Sequence, residues 1–413
     1  MPNEKLQKLQ ESIVIGNVPM IIESMMALAL EKSASDIHIE PHKSTVQLRY
    51  RVDGVLGVVL EYPLNLHPAL VSKIKIMSNL KIDESRIPQD GRITTFIENI
   101  EVDLRVSTLP TSAGEKIVMR MIDKSKKIPS VEHLGLVGYN YKLFLDSITQ
   151  PNGIILTSGP TGSGKTTTMY AAMGYLNTPE KNIMTFEDPI ENQMEGLNQS
   201  QIRSDIGYTF ANGLRTALRQ DPDIIMVGEI RDRETIDIAI EASLTGHLVL
   251  STIHTNSAVE TITRILNMKV PDFLLVASVN LIIAQRLARK LCDHCKVARP
   301  PSADAQKRIQ EAFNSFTPDQ SFDMALLNDP IMYEPASDGC EHCDNLGYKG
   351  RIGIYEVLRM SEKVKKGILE GLPGFEIQRI ASEEGMLTLE QDGLMKALQG
   401  QTSLEEVYKL IKR

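Results

Sequence analysis

The feature that most constrains this chain is the segment Gly159–Thr166, GPTGSGKT, which directly follows the apolar run GIILTS and precedes the helix-forming stretch TTMYAAMGYL. A strand, a glycine-rich loop ending in Gly-Lys-Thr and a helix form the phosphate-loop pattern in the context that the pattern requires. Its chemistry is local. Glycines let consecutive backbone N–H groups converge on phosphate oxygens, and the following helix adds its positive end. The segment Gly159, Pro160, Thr161, Gly162, Ser163, Gly164, Lys165, Thr166 and Thr167 is therefore the expected nucleotide-phosphate site. Lys165 is expected to reach the β- and γ-phosphates, and the Thr166 hydroxyl to sit on Mg²⁺.

The surrounding pattern agrees with such a core. From Leu134 to Leu291, short apolar runs (Ile154–Leu156, Ile183–Phe186, Ile224–Val227, Leu248–Ser251) alternate with helical stretches. This is how strands buried on both faces of a parallel sheet with crossover helices read. The chain has 413 residues, enough for two to four domains at roughly 100–200 residues each. We expect an α+β domain over 1–125, a linker over 126–133, the nucleotide core over 134–291, a tetracysteine subdomain over 292–350 and a helical C-terminal part over 351–413. In the first domain, Ile21, Met25, Leu28 and Ala29 mark an amphipathic helix. Asp53-Gly54 and Glu98-Asn99 join alternating strand runs as hairpin turns. There are no internal repeats and no low-complexity tract.

Composition excludes other classes. The 45 basic and 53 acidic residues give a net charge of −8, which argues against nucleic-acid binding through broad positive charge. No run reaches the roughly 18 apolar residues of a membrane-spanning helix. Met20–Leu30 is interrupted by Glu23 and Ser24, and the polar N-terminus has no signal-peptide core, so a cytoplasmic protein without direct membrane insertion is expected.

Further residues complete a hydrolytic site. Glu229 follows the run Ile224–Val227 and stands at a strand's carboxyl end, where ligands bind in such sheets, so it is the expected partner of Mg²⁺. TFEDPIE places Glu187, Asp188 and Glu191 after another buried strand; Glu187 is the candidate for orienting or deprotonating water, with Asp188 supporting it. Which of Glu187 and Glu229 is the base stays open. His247 and His254 flank one strand and are candidates for sensing the γ-phosphate. Arginines can supply positive charge to a phosphoryl-transfer transition state: Arg215 and Arg219, four apart on the helix before Asp221, and Arg105 and Arg120 in strand-like runs. Cys292-x-x-Cys295 and Cys340-x-x-Cys343 form a tetrahedral zinc pattern that leaves no open ligand position, hence a structural site. A redox disulfide is the alternative. His294 and His342 lie beside a shell that four thiolates already fill.

Together these motifs resemble the secretion ATPase superfamily of the GspE/PilB type, which drives type II secretion and type IV pilus extension. The resemblance runs through SASDIHIEP, RIPQDGR, GPTGSGKT, TFEDPIE, DPDIIMVGEIRD, the histidine segment Thr245–Thr255, the cysteine pairs and GMLTLEQDGLMKALQGQTSLEEV. It implies a RecA-like P-loop ATPase core with an N-terminal α+β (PAS-like) domain. It further implies ATP, Mg²⁺ and Zn²⁺, a homo-hexamer and an inner-membrane platform protein as partner, with peripheral association to that membrane. By resemblance Lys165, Thr166, Glu187, Glu229, His247 and His254 take nucleotide and catalytic roles, and Arg105, Arg120, Arg215 and Arg219 match phosphate-clamping arginines. Assembly members usually carry a further N-terminal domain, which residues 1–18 are too few to replace. Retraction ATPases generally lack the cysteine pairs, so the cysteines favour assembly or secretion. A nucleic-acid-dependent motor, a pilus retraction ATPase, and a nucleotide-dependent structural partner with little turnover are the alternatives.

Overall fold

The computed structural model describes residues 4–123, 128–314, 325–328 and 330–411. The chain divides into two compact units, Met1–Lys127 and Ile128–Arg413. Residues 126 and 127 of the expected linker lie outside the described residues, and its remainder belongs to the second unit, where Val131 is buried among Leu134, Phe144 and Tyr170.

The first unit is a six-stranded antiparallel sheet. Its strands are β1 (Asp36–Pro41), β2 (Thr45–Val52), β3 (Val55–Pro63), β4 (Gln89–Ile97), β5 (Ile100–Thr111) and β6 (Gly114–Asp123), in the order β3-β2-β1-β6-β5-β4. Both expected hairpin turns are present. Asp53-Gly54 (φ +48° and +83°) and Glu98-Asn99 (φ +50° and +68°) place two consecutive residues in the left-handed region, the twist that a two-residue hairpin needs. The helix Val18–Glu31 starts where the Asn17 side chain accepts the Met20 N–H at 3.2 Å. Ile21, Met25, Leu28 and Ala29 all fall on its buried face, and the Tyr50 hydroxyl donates to the Met25 carbonyl at 2.6 Å. An unforeseen helix, Glu4–Ile15, precedes it; only Leu9 and Ser12 are buried, too sparse a stripe to read as a period.

The second unit is built on a seven-stranded sheet. β7 (Gly153–Ser158), β8 (Ile183–Glu187), β9 (Asn198–Gln201), β10 (Ile224–Val227), β11 (Leu248–Ile253), β12 (Val279–Leu291) and β15 (Tyr348–Arg359) stand in the order β15-β12-β7-β11-β10-β8-β9. All neighbours are parallel except β12 and β15. Every residue of β7, β10 and β11 is buried, because helices cover both faces. Helices Phe210–Ala217, Arg233–Leu244 and Ala258–Asn267 contribute to one core; Gly138–Ile148 and Lys165–Leu176 contribute to the other. β13 (Val297–Arg299) and β14 (Met332–Glu334) form a small separate ribbon.

The division expected at 350/351 falls inside β15. This strand pairs residue by residue with β12, so the segment after the cysteines closes the edge of the nucleotide core before the C-terminal helices begin. The helix Ala303–Phe313 shares a core with Leu394, Leu398 and Val407 of those helices. The stretches 292–350 and 351–413 are thus packed as one body. β9, NQSQ, escaped the apolar-run reading because an edge strand this polar carries no hydrophobic signal.

Candidate nucleotide site

The loop after β7 has a shape that its glycines permit. Gly159 has φ +148°, and a Cβ there would lie 2.6 Å from the Gln285 carbonyl oxygen. Gly164, at φ +90°, would place one 2.7 Å from Gln285 Nε2. Any side chain at either position breaks the loop's seat on β12. The helix Lys165–Leu176 then starts without a side-chain cap. Helices beginning after Thr209, Asp232 and Ser257 are each capped by that residue's own oxygen. The phosphate-loop helix therefore keeps its first N–H groups for an anion.

These residues open into a cleft of about 420 Å³, lined by Thr161–Thr167, Glu187, Asp188, Glu191, Glu229, Arg231, Thr252, His254 and Arg351 among others. Gly159 and Pro160 lie behind it. Their carbonyls accept hydrogen bonds from Lys165 Nζ at 2.8 and 3.2 Å, which holds the ammonium at the mouth of the loop. Burial pushes the Lys165 pKa down, against the pull of the Glu229 charge. The buried hydroxyls of Ser158 and Ser163 have no hydrogen-bond partner among the described residues, and Ser163 lines the cleft, where a polar ligand atom would satisfy it.

Strand direction decides which acidic groups arrive. Because β7, β8, β10 and β11 are parallel, their carboxyl ends meet at one rim. Glu187 ends β8 and is 3% exposed. Its Oε1 accepts from the Thr185 hydroxyl and from Gln199 Nε2 at 3.1 Å, and its Oε2 accepts from the Tyr170 hydroxyl. Glu229, just beyond β10, pairs through Oε1 with Arg231 and through Oε2 with His254 at 3.4 Å. Burial, reinforced by the Lys165 charge, lowers the His254 pKa, so this imidazole is neutral at pH 7 and meets Glu229 as a hydrogen-bond partner.

Two groups of expected residues are not brought to the cleft. His247 precedes β11, at the opposite end of the strand from His254 and about 23 Å away at roughly 3.3 Å per residue. Its Nδ1 is 2.9 Å from the Ala242 carbonyl oxygen and 3.2 Å from the Thr245 hydroxyl. Arg215 is exposed and pairs with Glu234 at 2.9 Å. The helix stops at Ala217, so Arg219 lies past it rather than on its face, with Nη1 donating to the Arg215 carbonyl at 3.0 Å. Arg105 and Arg120 belong to the first unit, directly opposite each other on β5 and β6. They form part of a row across the sheet, Arg92, Arg105, Arg120, Asp36 and Arg51. Asp36 sits between two arginines, 3.0 Å from Arg120 and 3.5 Å from Arg51, relieving like charges on neighbouring strands.

The sequence reading missed Arg231, Arg351 and Gln285. Arg231 is two residues beyond Glu229, a spacing that returns to the same side in extended chain. Arg351 comes from β15 and carries no local signal. Gln285, 1% exposed on β12, donates to the Ser163 carbonyl at 2.8 Å and accepts from Thr168 Oγ1 at 2.8 Å, bracing the loop from the neighbouring strand. In Gln285→Leu the buried Ser163 carbonyl loses its side-chain donor and the Thr168 hydroxyl loses this acceptor, at about 1–3 kcal/mol. ATP affinity should fall about tenfold in a binding titration; an unchanged affinity would show that the brace is idle.

The four cysteines are free thiols whose Sγ atoms lie within 4.8 Å of one another. The separations are 3.7 Å for Cys292–Cys340, 3.8 Å for Cys295–Cys343 and 3.7 Å for Cys340–Cys343. Four sulfurs placed about 2.3 Å from a central ion would stand about 3.8 Å apart, so the cluster fits a tetrahedral thiolate-bound metal. Backbone N–H groups of Cys340 and Gly347 point at Cys343 Sγ, at 3.3 and 3.2 Å. His294 and His342 stack on each other, 3.9 Å between ring centres, outside the sulfur set.

A parallel sheet with a glycine loop at its carboxyl rim, a buried lysine and two strand-end carboxylates define a P-loop nucleotide hydrolase. The chain belongs to the Type II/IV secretion system protein family, whose model matches residues 12–409, and it is an ATP-hydrolysing enzyme of that family. It is 46% identical over 396 residues to the type IV pilus assembly ATPase PilB of Pseudomonas aeruginosa, covering 96% of this chain and 68% of that one. It is 44% identical over 392 residues to the type II secretion system protein E of Aeromonas hydrophila, covering 95% of this chain and 75% of that one. Among solved structures, the pilus retraction motor PilT with bound ADP superposes with a TM-score of 0.61 at 25% identity, over 94% of this chain and 96% of that one. Among the described residues no helix is long and apolar enough to cross a membrane.

Proposed function

We propose that this ATPase powers type IV pilus assembly or type II secretion, working as a homo-hexamer against an inner-membrane platform protein from the cytoplasmic side. The observation that carries the reading is the cleft itself, in a chain 46% and 44% identical to PilB and to secretion protein E across nearly its full length. The cysteine cluster favours these two systems over pilus retraction, and the retraction motor is the more distant relative at 25% identity.

Lys165 and the uncapped helix start hold the phosphate tail of ATP. Thr166 and Glu229 hold Mg²⁺, which supplies charge neutralisation at the β- and γ-phosphates. Glu187 orients the attacking water. A carboxylate has about four acceptor positions; three on Glu187 are taken by protein donors, and one remains for a water in the cleft. His254 and Arg231 hold the Glu229 carboxylate in place beside the phosphate loop. The four cysteines hold Zn²⁺, which ties the excursion between β12 and β15 to the core. The test is ATP turnover by the purified chain with and without the cytoplasmic part of the platform protein, or with DNA. Stimulation by the platform and indifference to DNA is the expected outcome; stimulation by DNA alone would select a nucleic-acid motor.

A further inference from the structure

Tyr170 lies on the phosphate-loop helix, five residues after Lys165, with its ring buried in the core beneath the sheet. Its hydroxyl donates to Glu187 Oε2 and accepts the backbone N–H groups of Glu191 and Asn192, both at 3.3 Å. One hydroxyl thus joins the helix that follows the phosphate loop, the carboxylate at the end of β8 and the turn of the acidic segment. Gln199 fastens the other side of the same segment, donating to Glu187 Oε1 and to the Asn192 carbonyl at 2.9 Å and accepting the Met194 N–H at 2.7 Å. Burial and the Glu187 charge push the Tyr170 pKa well above the usual phenol range, so the hydroxyl keeps its proton and stays a donor.

We propose that Tyr170 is a positioning residue for ATP hydrolysis: it fixes the Glu187 carboxylate relative to the phosphate loop so that its remaining acceptor position faces the attacking water. This rests on the role of Glu187 given above. Without the phenol oxygen, Oε2 has no protein donor and the carboxylate turns about its last side-chain bonds. The acidic segment also loses the acceptor for two of its N–H groups. Nucleotide binding, which depends on Lys165 and the loop backbone, is untouched, and the turnover step alone suffers.

Tyr170→Phe keeps the ring and its packing and removes only the oxygen, so the full chain with its metal intact is the proper material. Steady-state ATP hydrolysis is measured for Tyr170→Phe, Glu187→Gln and the double variant, with binding of a fluorescent ATP analogue and a thermal melt alongside. In Tyr170→Phe, kcat should fall about 10- to 100-fold, the size of one hydrogen bond to a charged group, while KM and analogue binding stay within about twofold. The double variant should be no slower than Glu187→Gln, within about twofold, because Tyr170 acts only through that carboxylate. The proposal is overturned if Glu187→Gln is slow but Tyr170→Phe turns over at the wild-type rate. It is equally overturned if the loss lies in KM, or if the double variant loses the product of the two single effects. Should Glu187→Gln itself run at the wild-type rate, the role given to Glu187 has failed, and the role of Tyr170 falls with it.

Discussion

Lys165→Ala is expected to reduce kcat/KM for ATP by at least about 100- to 1,000-fold, the range for deleting one preorganised donor to developing transition-state charge. Two neighbouring cations are already engaged. Arg231 is committed to Glu229, and Arg286 is committed to the Gln285 and Asn256 carbonyls at 3.0 Å each. Folding should survive the change. Lys165 contributes two hydrogen bonds to loop carbonyls at the cost of burying a charge, and removing it exchanges one against the other. The thermal midpoint should therefore move by no more than about 2–4 °C, the shift from about 1 kcal/mol in a body of this size. Lys165→Arg should not rescue turnover, since a planar fork cannot occupy the place of a compact ammonium between the Gly159 and Pro160 carbonyls. A variant that lacks the lysine yet hydrolyses ATP at an undiminished rate would refute the assignment of this loop.

The second large effect concerns the cysteines. Cys343→Ser should abolish stoichiometric zinc, read by elemental analysis, and lower the thermal midpoint of the second unit by about 10 °C or more. Structural zinc sites contribute roughly 10–16 kcal/mol in isolated small domains. Even a third of that, about 4 kcal/mol, moves a body of this size by roughly 10 °C. The position of the cluster explains why the damage spreads. Cys292 follows β12 without a break, and Cys343 leads within five residues to Tyr348, the start of β15. β12 carries Gln285 against the phosphate loop, and β15 carries Arg351 to the cleft. Loosening the junction between the two strands should therefore weaken ATP binding as well as stability. Full metal content with an unchanged melt in Cys343→Ser would remove the thiolate site from the account.

Much of this arrangement is legible in the chain because its causes are local. The phosphate loop needs glycines at three positions of positive φ (Gly159, Gly162 and Gly164) and a lysine at the helix start, all within eight consecutive residues. The hairpin turns at Asp53-Gly54 and Glu98-Asn99 depend on two dihedral angles each, and the cysteine pairs on a three-residue reach. Glu187 and Glu229 are found by the same logic, as the polar residues that end buried strands.

What failed was information about sheet order and direction. His247 and His254 look equivalent in the sequence, since both flank one apolar run. The parallel pairing of β11 with β7 sends one to the phosphate rim and the other to the far end. Arg215 and Arg219 have helical spacing, yet the helix ends between them, and the Arg219 side chain folds back to donate to the Arg215 carbonyl. β15 reads as part of a helical tail because the partner that makes it a strand, β12, lies more than fifty residues earlier.

The residues alone settled that this chain grips phosphate, holds four thiols in two chelating turns and encloses a parallel sheet, because each follows from backbone preferences within a few neighbours. Tertiary structure alone decided that Gln285 braces the loop, that Arg351 reaches the cleft and that Tyr170 bridges to Glu187. Those contacts span from 17 to nearly 190 positions along the chain. Such contacts depend on which strands lie side by side, and a side-chain pattern with a period of two fixes the face of a strand but not its neighbours.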